Sequence, residues 1–173
     1  MFKILFFILL YVSLSASEHR VLFHGLSHHF DRTDKLGRSW NEKNYGLGYE
    51  YSSYDKGDNF YYTSSINILK DSNFEPFYFA TLGGEFRPDV TNDYFAVTLN
   101  ALVGLKMIPL MSRVNGVYVK ELSREYKFMG GVTPGFRFYL PYDISIAYNY
   151  FPQFEMGSLY VAGFHYMSLG YKF

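Results

Sequence analysis

The sequence predicts an all-β protein, an eight-stranded antiparallel up-and-down transmembrane β-barrel. Three observations carry that expectation. Segment after segment alternates apolar and polar residues with a period of two, and no window keeps a 3.6-residue period over several turns. Eight such segments are joined alternately by short turns and by longer connections, the layout of a small outer-membrane barrel. The last segment places Met167, Leu169, Tyr171 and Phe173 on every second position and ends on an aromatic residue, as bacterial outer-membrane barrels commonly do.

The elements follow in order. Met1 to Lys3 is a short basic start, Ile4 to Val12 is uninterrupted apolar chain, and Ser13 to Ser17 is small apart from Leu14, so residues 1–17 read as a secretory signal peptide cut near Ala16 or Ser17. A spanning helix needs about 20 apolar residues and this run has nine. The barrel then occupies residues 18–173. Its strands are expected at 20–31, 44–54, 59–70, 76–87, 94–106, 127–139, 142–151 and 159–173. In the second, Tyr45, Leu47, Tyr49 and Tyr51 oppose Gly46, Gly48, Glu50 and Ser52, and in the fifth, Val97, Leu99, Ala101 and Val103 oppose Thr98, Asn100, Leu102 and Gly104. Residues 55–58, 88–93 and 140–141 are short turns on the side of the termini, while 32–43, 71–75, 107–126 and 152–158 are longer loops facing outward. Aromatics near strand ends, among them Tyr45, Phe60, Tyr61, Tyr62, Phe77, Tyr78, Phe79, Tyr94, Tyr148, Tyr150 and Phe151, fit interfacial girdles. A soluble sandwich would carry far more charge on its outer faces.

Composition narrows the function. Sixteen basic residues balance sixteen acidic ones, which excludes a basic nucleic-acid footprint, and the absence of cysteine excludes disulfides, thiolate catalysis and Cys-based zinc sites. Eight strands enclose too little space for a wide pore. Three roles remain: an enzyme acting on membrane lipids, a structural or adhesive barrel acting through its loops, and a binder of a small apolar ligand. Candidate chemistry gathers at the outward end, where Ser27, His28, His29 and Asp31 close the first strand and Lys70, Asp71 and Ser72 close the third. Strand parity turns Val21, Phe23, Gly25, Ser27 and His29 inward, and Asp71 inward with Asn67 and Ser65. A histidine, a hydroxyl and a carboxylate around one small volume can run acyl transfer, with imidazole taking the proton. Ser72 either attacks the acyl carbonyl or binds it. Glu50, Glu85, Arg87 and Arg137 fall inward and call for a paired interior network, and Gly46, Gly48, Gly83, Gly84, Gly131 and Gly135 leave interior room for one acyl chain. No metal and no organic cofactor is called for.

The order of a His-rich strand top, Asn41-Glu42 before a Gly-rich aromatic strand, Lys70-Asp71-Ser72, and Asn149-Tyr150-Phe151-Pro152 resembles the lipid A palmitoyltransferase (PagP) family of eight-stranded outer-membrane barrels. The resemblance implies transfer of an acyl chain from a phospholipid donor to a lipid A acceptor in the outer membrane of a Gram-negative cell, by a monomer that meets membrane lipids and the barrel assembly machinery. It implies catalytic roles for His29, Asp71 and Ser72, with His28 as the alternative histidine, and lipid access at Pro134 and Pro152, where prolines interrupt strand pairing. The chain departs from the family in lacking a helix before the first strand and in having Lys43 where a proline follows the Asn-Glu pair. A lipid A deacylase is the rival enzyme, but His165 and Ser168 stand three apart, which puts them on opposite faces of a strand.

Overall fold

The computed structural model describes residues 17–31, 33–34, 36–53, 59–88, 94–115, 117–156, 159–161 and 163–173. The strands are β1 (Ser17–His29), β2 (Lys43–Ser53), β3 (Phe60–Lys70), β4 (Pro76–Phe86), β5 (Phe95–Val114), β6 (Val117–Leu140), β7 (Ile144–Phe151), β8 (Phe154–Met156), β9 (Leu159–Val161) and β10 (Phe164–Lys172). Eight of them close an antiparallel barrel in the order β1-β10-β7-β6-β5-β4-β3-β2, and β8 with β9 forms a separate hairpin. The segment expected as a signal peptide lies outside the described residues, except that Ser17 opens β1.

The side chains are distributed inside out relative to a soluble protein. Leu47, Ile66, Ile68, Leu82, Leu99, Val103 and Phe136 are exposed on the outer wall, while Thr63, Ser65, Asn67, Thr98, Thr133, Ser145 and Ser168 are buried within. Such a surface is stable only against hydrocarbon, and closure pairs the strand edges that hydrocarbon cannot satisfy. The protein is a closed barrel that spans a membrane with its strands. The first residues of β1 and the last of β10 share one end with the points where β2 leads to β3, β4 to β5 and β6 to β7; the longer connections share the other.

That first end is plugged by charge. Arg137 grips Glu50 through two bonds of 2.5 and 2.7 Å and reaches Glu85 at 3.1 Å. Arg20 meets Glu50 at 3.0 Å, and Arg87 binds Glu85 at 2.5 Å and Glu18 at 2.9 Å. Arg87 also lies over the Tyr61 and Tyr139 rings at 4.1 and 4.5 Å. Three carboxylates thus face three guanidinium groups, so the expected interior network is present and balanced.

Six expectations are corrected. Register slips at a bulge between His24 and Leu26, so below Gly25 the inward set is Arg20, Leu22 and His24, and Val21 and Phe23 turn out of the interior. His29 still faces inward, because residues above the bulge follow the shifted parity. Residues 107–126 are not a loop: β5 and β6 pair continuously up to Val114 and Val117 and carry a hairpin far beyond the other strands. The expected strand 159–173 is divided, β9 folding back on β8 and β10 alone joining the wall. The seventh strand begins at Ile144, since Tyr142 and Asp143 both adopt positive φ, 65° and 60°, in the turn before it. Finally, Tyr61, Phe77 and Phe79 are buried rather than girdle residues, and Gly84 lies against the exposed Phe60 ring instead of opening the interior.

Replacing Arg137 by Met leaves Glu50 and Glu85 without their principal cation. Denaturant unfolding of the vesicle-folded barrel is expected to show a loss of about 3–5 kcal/mol, and a loss below 1 kcal/mol would contradict the network's role in holding this end closed.

Candidate functional site

The outward end of the barrel assembles its polar residues from three segments. β1 ends at His29, the connection before β2 brings in Trp40 and Asn41, and the turn between β3 and β4 supplies Asp71 and Ser72. Asn41 ties the second segment to the third: its backbone N–H donates to the Ser72 carbonyl at 2.9 Å and its side-chain amide donates to the Asp71 carbonyl at 3.0 Å. The pairing of an Asn-Glu dipeptide with an Asp-Ser turn is therefore a physical join between two loops.

His29 is 2% exposed, and its Nε2 is hydrogen-bonded to Ser72 Oγ across 2.7 Å. Its ring is stacked between Trp40 and Phe164, with centroids 5.0 and 5.2 Å away. Nδ1 has no hydrogen-bond partner among the described residues. Asp71 is also buried, but it serves the turn instead of the imidazole. Its Oδ1 accepts the N–H groups of Asn73 and Glu75 at 2.8 and 2.9 Å, and its Oδ2 lies 3.1 Å from Lys106 Nζ. The expected arrangement in which a carboxylate orients the histidine is thus absent here, because both Asp71 oxygens are engaged elsewhere. The alternative histidine is corrected as well: His28 is exposed and faces Glu42 at 3.4 Å, since neighbouring residues of a strand point to opposite faces.

Below this pair lies a largely apolar cavity of about 730 Å³, its open side included, lined by Leu69, Phe77, Phe79, Leu102, Phe164 and Tyr166 as well as by Asp71, Ser72 and Lys106. Its remaining wall is made by Met129, Gly130, Gly131 and Val132 of β6 and by Phe151 and Pro152 at the top of β7. These are the two banks of a gap. The β6–β7 ladder stops at Gly135 and Asn149, whereas β5–β6 and β7–β10 continue upward. The next residue on β6 is Pro134, which has no N–H to donate. A Cβ placed on Gly131 would meet nothing within 4 Å. Pro134 therefore marks where the ladder ends and Pro152 lines the cavity behind it. Phe79, Leu102, Phe151 and Tyr166 floor this cavity and roof a polar one beneath it that contains His24, Asn67 and Thr133.

Three residues of this region escaped the sequence reading. His24, whose Nε2–H donates to Asn67 Oδ1 at 2.9 Å and whose Nδ1 is bonded to the Tyr166 hydroxyl, was hidden by the Gly25 bulge that reverses parity. Trp40 lies in a loop with no periodic signal. Lys106 was legible, because it follows Thr98, Leu102 and Gly104 on the inward face of β5. His165 is bonded to the Tyr148 hydroxyl, while Ser168 is buried inside the wall, so the two are not a catalytic pair.

Above the membrane, Arg38 joins Asp34 at 2.6 Å and also binds Glu121, and Arg124 joins Glu121 and Glu75 at 2.7 Å each. Arg124 and Arg38 beside Glu121 hold its carboxyl below the usual carboxylate range despite partial burial. The brace between the long hairpin and the neighbouring loops therefore persists at neutral pH and is lost only as pH falls through that lowered value.

No protein-family model matches the sequence, and no curated protein does. Among solved structures, the crystal structure of Ail, the attachment invasion locus protein of Yersinia pestis, in complex with the heparin analogue sucrose octasulfate, is 15% identical with a TM-score of 0.46, covering 91% of this chain and 97% of that one. Ail in a phospholipid bilayer nanodisc gives 15% identity and a TM-score of 0.47, over 91% and 99% of the two chains. The chain is a closed eight-stranded antiparallel barrel. At that identity the likeness concerns the fold alone.

The single tryptophan is a reporter of the site. His29→Ala removes the ring stacked on Trp40 and is expected to red-shift its emission in the folded barrel; an unchanged spectrum would place Trp40 away from His29.

Proposed function

We propose that the protein is an outer-membrane lipid acyltransferase that moves an acyl chain from a phospholipid to lipid A. One observation carries this reading: a buried His29–Ser72 pair stands at the mouth of an apolar cavity whose wall is open between β6 and β7. A phospholipid chain in the outer leaflet can pass sideways through that gap with its methylenes never leaving apolar surroundings. Its ester carbonyl then comes to rest near Ser72.

With Nε2 unprotonated, the Ser72 hydroxyl donates to it, and two routes follow from that geometry. In the first, Ser72 Oγ attacks the ester carbon as His29 takes its proton, the lysophospholipid leaves with that proton, and a lipid A hydroxyl then displaces the acyl group from Ser72. In the second, His29 takes the proton of the lipid A hydroxyl as its oxygen attacks the ester carbon, Ser72 donates to the carbonyl oxygen, and the lysophospholipid leaves with the proton held by His29. A stable acyl adduct on Ser72 distinguishes the first from the second. Asp71 contributes by holding the turn, through the backbone N–H groups it accepts. The acyl chain lies along Leu69 and Phe77 toward Phe79 and Leu102, where polar groups begin.

A second reading, a structural or adhesive barrel, is favoured by the β5–β6 hairpin. It projects past the last β4–β5 pair, is braced by Arg38 and Arg124, and exposes Val114, Val117, Val119 and Leu122 near its tip. Ail itself is an attachment invasion locus protein and binds a heparin analogue, sucrose octasulfate, in its crystal structure.

Mass spectrometry of lipid A from expressing cells decides between the readings. The enzyme adds the mass of one acyl chain, and His29→Ala lowers that product by about 100-fold or more. A mass loss would indicate a deacylase, and no change from a folded barrel would leave the adhesive role, which deletion within 107–126 would then abolish. Leu102→Ala is expected to deepen the slot and move the preferred donor to longer chains, read from the same spectra.

A further inference from the structure

Lys106 is a cation in an apolar place. Its side chain is 14% exposed, it lines the cavity under Ser72, and Asp71 is the single carboxylate among the lining residues. An ammonium has three N–H donors. The nitrogen forms an ion pair with Asp71 Oδ2 at 3.1 Å, without a hydrogen bond to that oxygen, and the Phe77 ring lies 5.9 Å away. The negative charge it faces is already shared, because Asp71 Oδ1 accepts two backbone N–H groups. A buried charge is costly unless more than one partner offsets it. Its N–H donors are thus left to the cavity, at the end where an acyl chain would carry its head group.

We propose that Lys106 makes this cavity a site for single-chain amphiphiles with an anionic head, the chain lying in the apolar slot and the carboxylate or phosphate resting on the ammonium. Register fixes the lysine for that task. It pairs with Phe77 across β4–β5, and its ammonium lies 5.9 Å from the Phe77 ring that walls the slot. Asp71 fixes the ammonium and the Ser72 turn together, which couples the anion site to the hydroxyl. In the acyl-transfer reading the same ammonium faces the ester oxygen on which negative charge develops. The binding claim stands without that reaction.

The test uses the full barrel in vesicles of ether-linked phosphatidylcholine, whose chains cannot be transferred, with Trp40 emission as the signal. Dodecanoate, dodecyl phosphate and dodecanol are titrated in turn, the two anions separating a fatty-acid site from a phosphate site. Wild type is expected to bind at least one anion about tenfold more tightly than dodecanol, the range of a charge-assisted hydrogen bond. Lys106→Met is expected to abolish that preference, and Lys106→Arg to retain it, which excludes a folding defect as the cause. Equal binding of the anions and dodecanol by wild type, or an unchanged preference in Lys106→Met, overturns the proposal. A preference without any acyl gain in lipid A removes the acyltransferase and leaves the site; acyl gain without a preference does the reverse.

Discussion

Hydrocarbon offers no hydrogen bonds, so every backbone N–H and C=O in the wall must find its partner in a neighbouring strand. That constraint closes the sheet, fixes an even strand count and turns the apolar residues outward. It also gives meaning to the place where pairing stops between β6 and β7. Between β6 and β7 the ladder ends at Gly135 and Asn149, immediately below Pro134. A proline there has no donor to leave stranded, and the residues above it line a cavity instead of lipid alone. The gap is tolerated for the same reason that the rest of the barrel has none.

The interior is divided along its axis by the same chemistry that builds the wall. At the end of the tight turns, Glu18, Glu50 and Glu85 face Arg20, Arg87 and Arg137, and bulky polar groups fill the cross-section. Toward the other end, Leu69, Phe77, Phe79, Leu102 and Tyr166 form the buried apolar cluster. Between them stands the polar layer of His24 and Asn67, for which Gly48 makes room: a Cβ there would fall 2.1 Å from Asn67 Oδ1. A slender apolar ligand therefore has a slot that is open at the side and blocked from below.

The two functional readings occupy the same end of the molecule and use different parts of it. Acyl transfer depends on buried groups, His29, Ser72 and Lys106, each held by packing or by a turn. Adhesion depends on the exposed hairpin and its ionic brace. The turn that carries Ser72 belongs to both, since Glu75 donates its N–H to Asp71 while its carboxylate accepts from Arg124.

Period-two alternation sufficed to determine the strand class, the number of barrel strands, the outward apolar wall and the inward charges at Glu50, Glu85, Arg87 and Arg137, because each follows from local side-chain direction. It also brought His29, Asp71 and Ser72 to one end, since all three sit where strands stop. Alternation could not determine whatever depends on a partner strand. The Gly25 bulge is visible only where β1 pairs with β2 and β10, and it exchanges Val21 and Phe23 for Leu22 and His24 on the inner face. The long hairpin came from pairing that continues through residues with weak alternation, and the division of the last segment came from β9 turning back on β8. Which partner Asp71 takes was decided only in three dimensions, where Lys106 and the turn amides reach it and the imidazole of His29 does not.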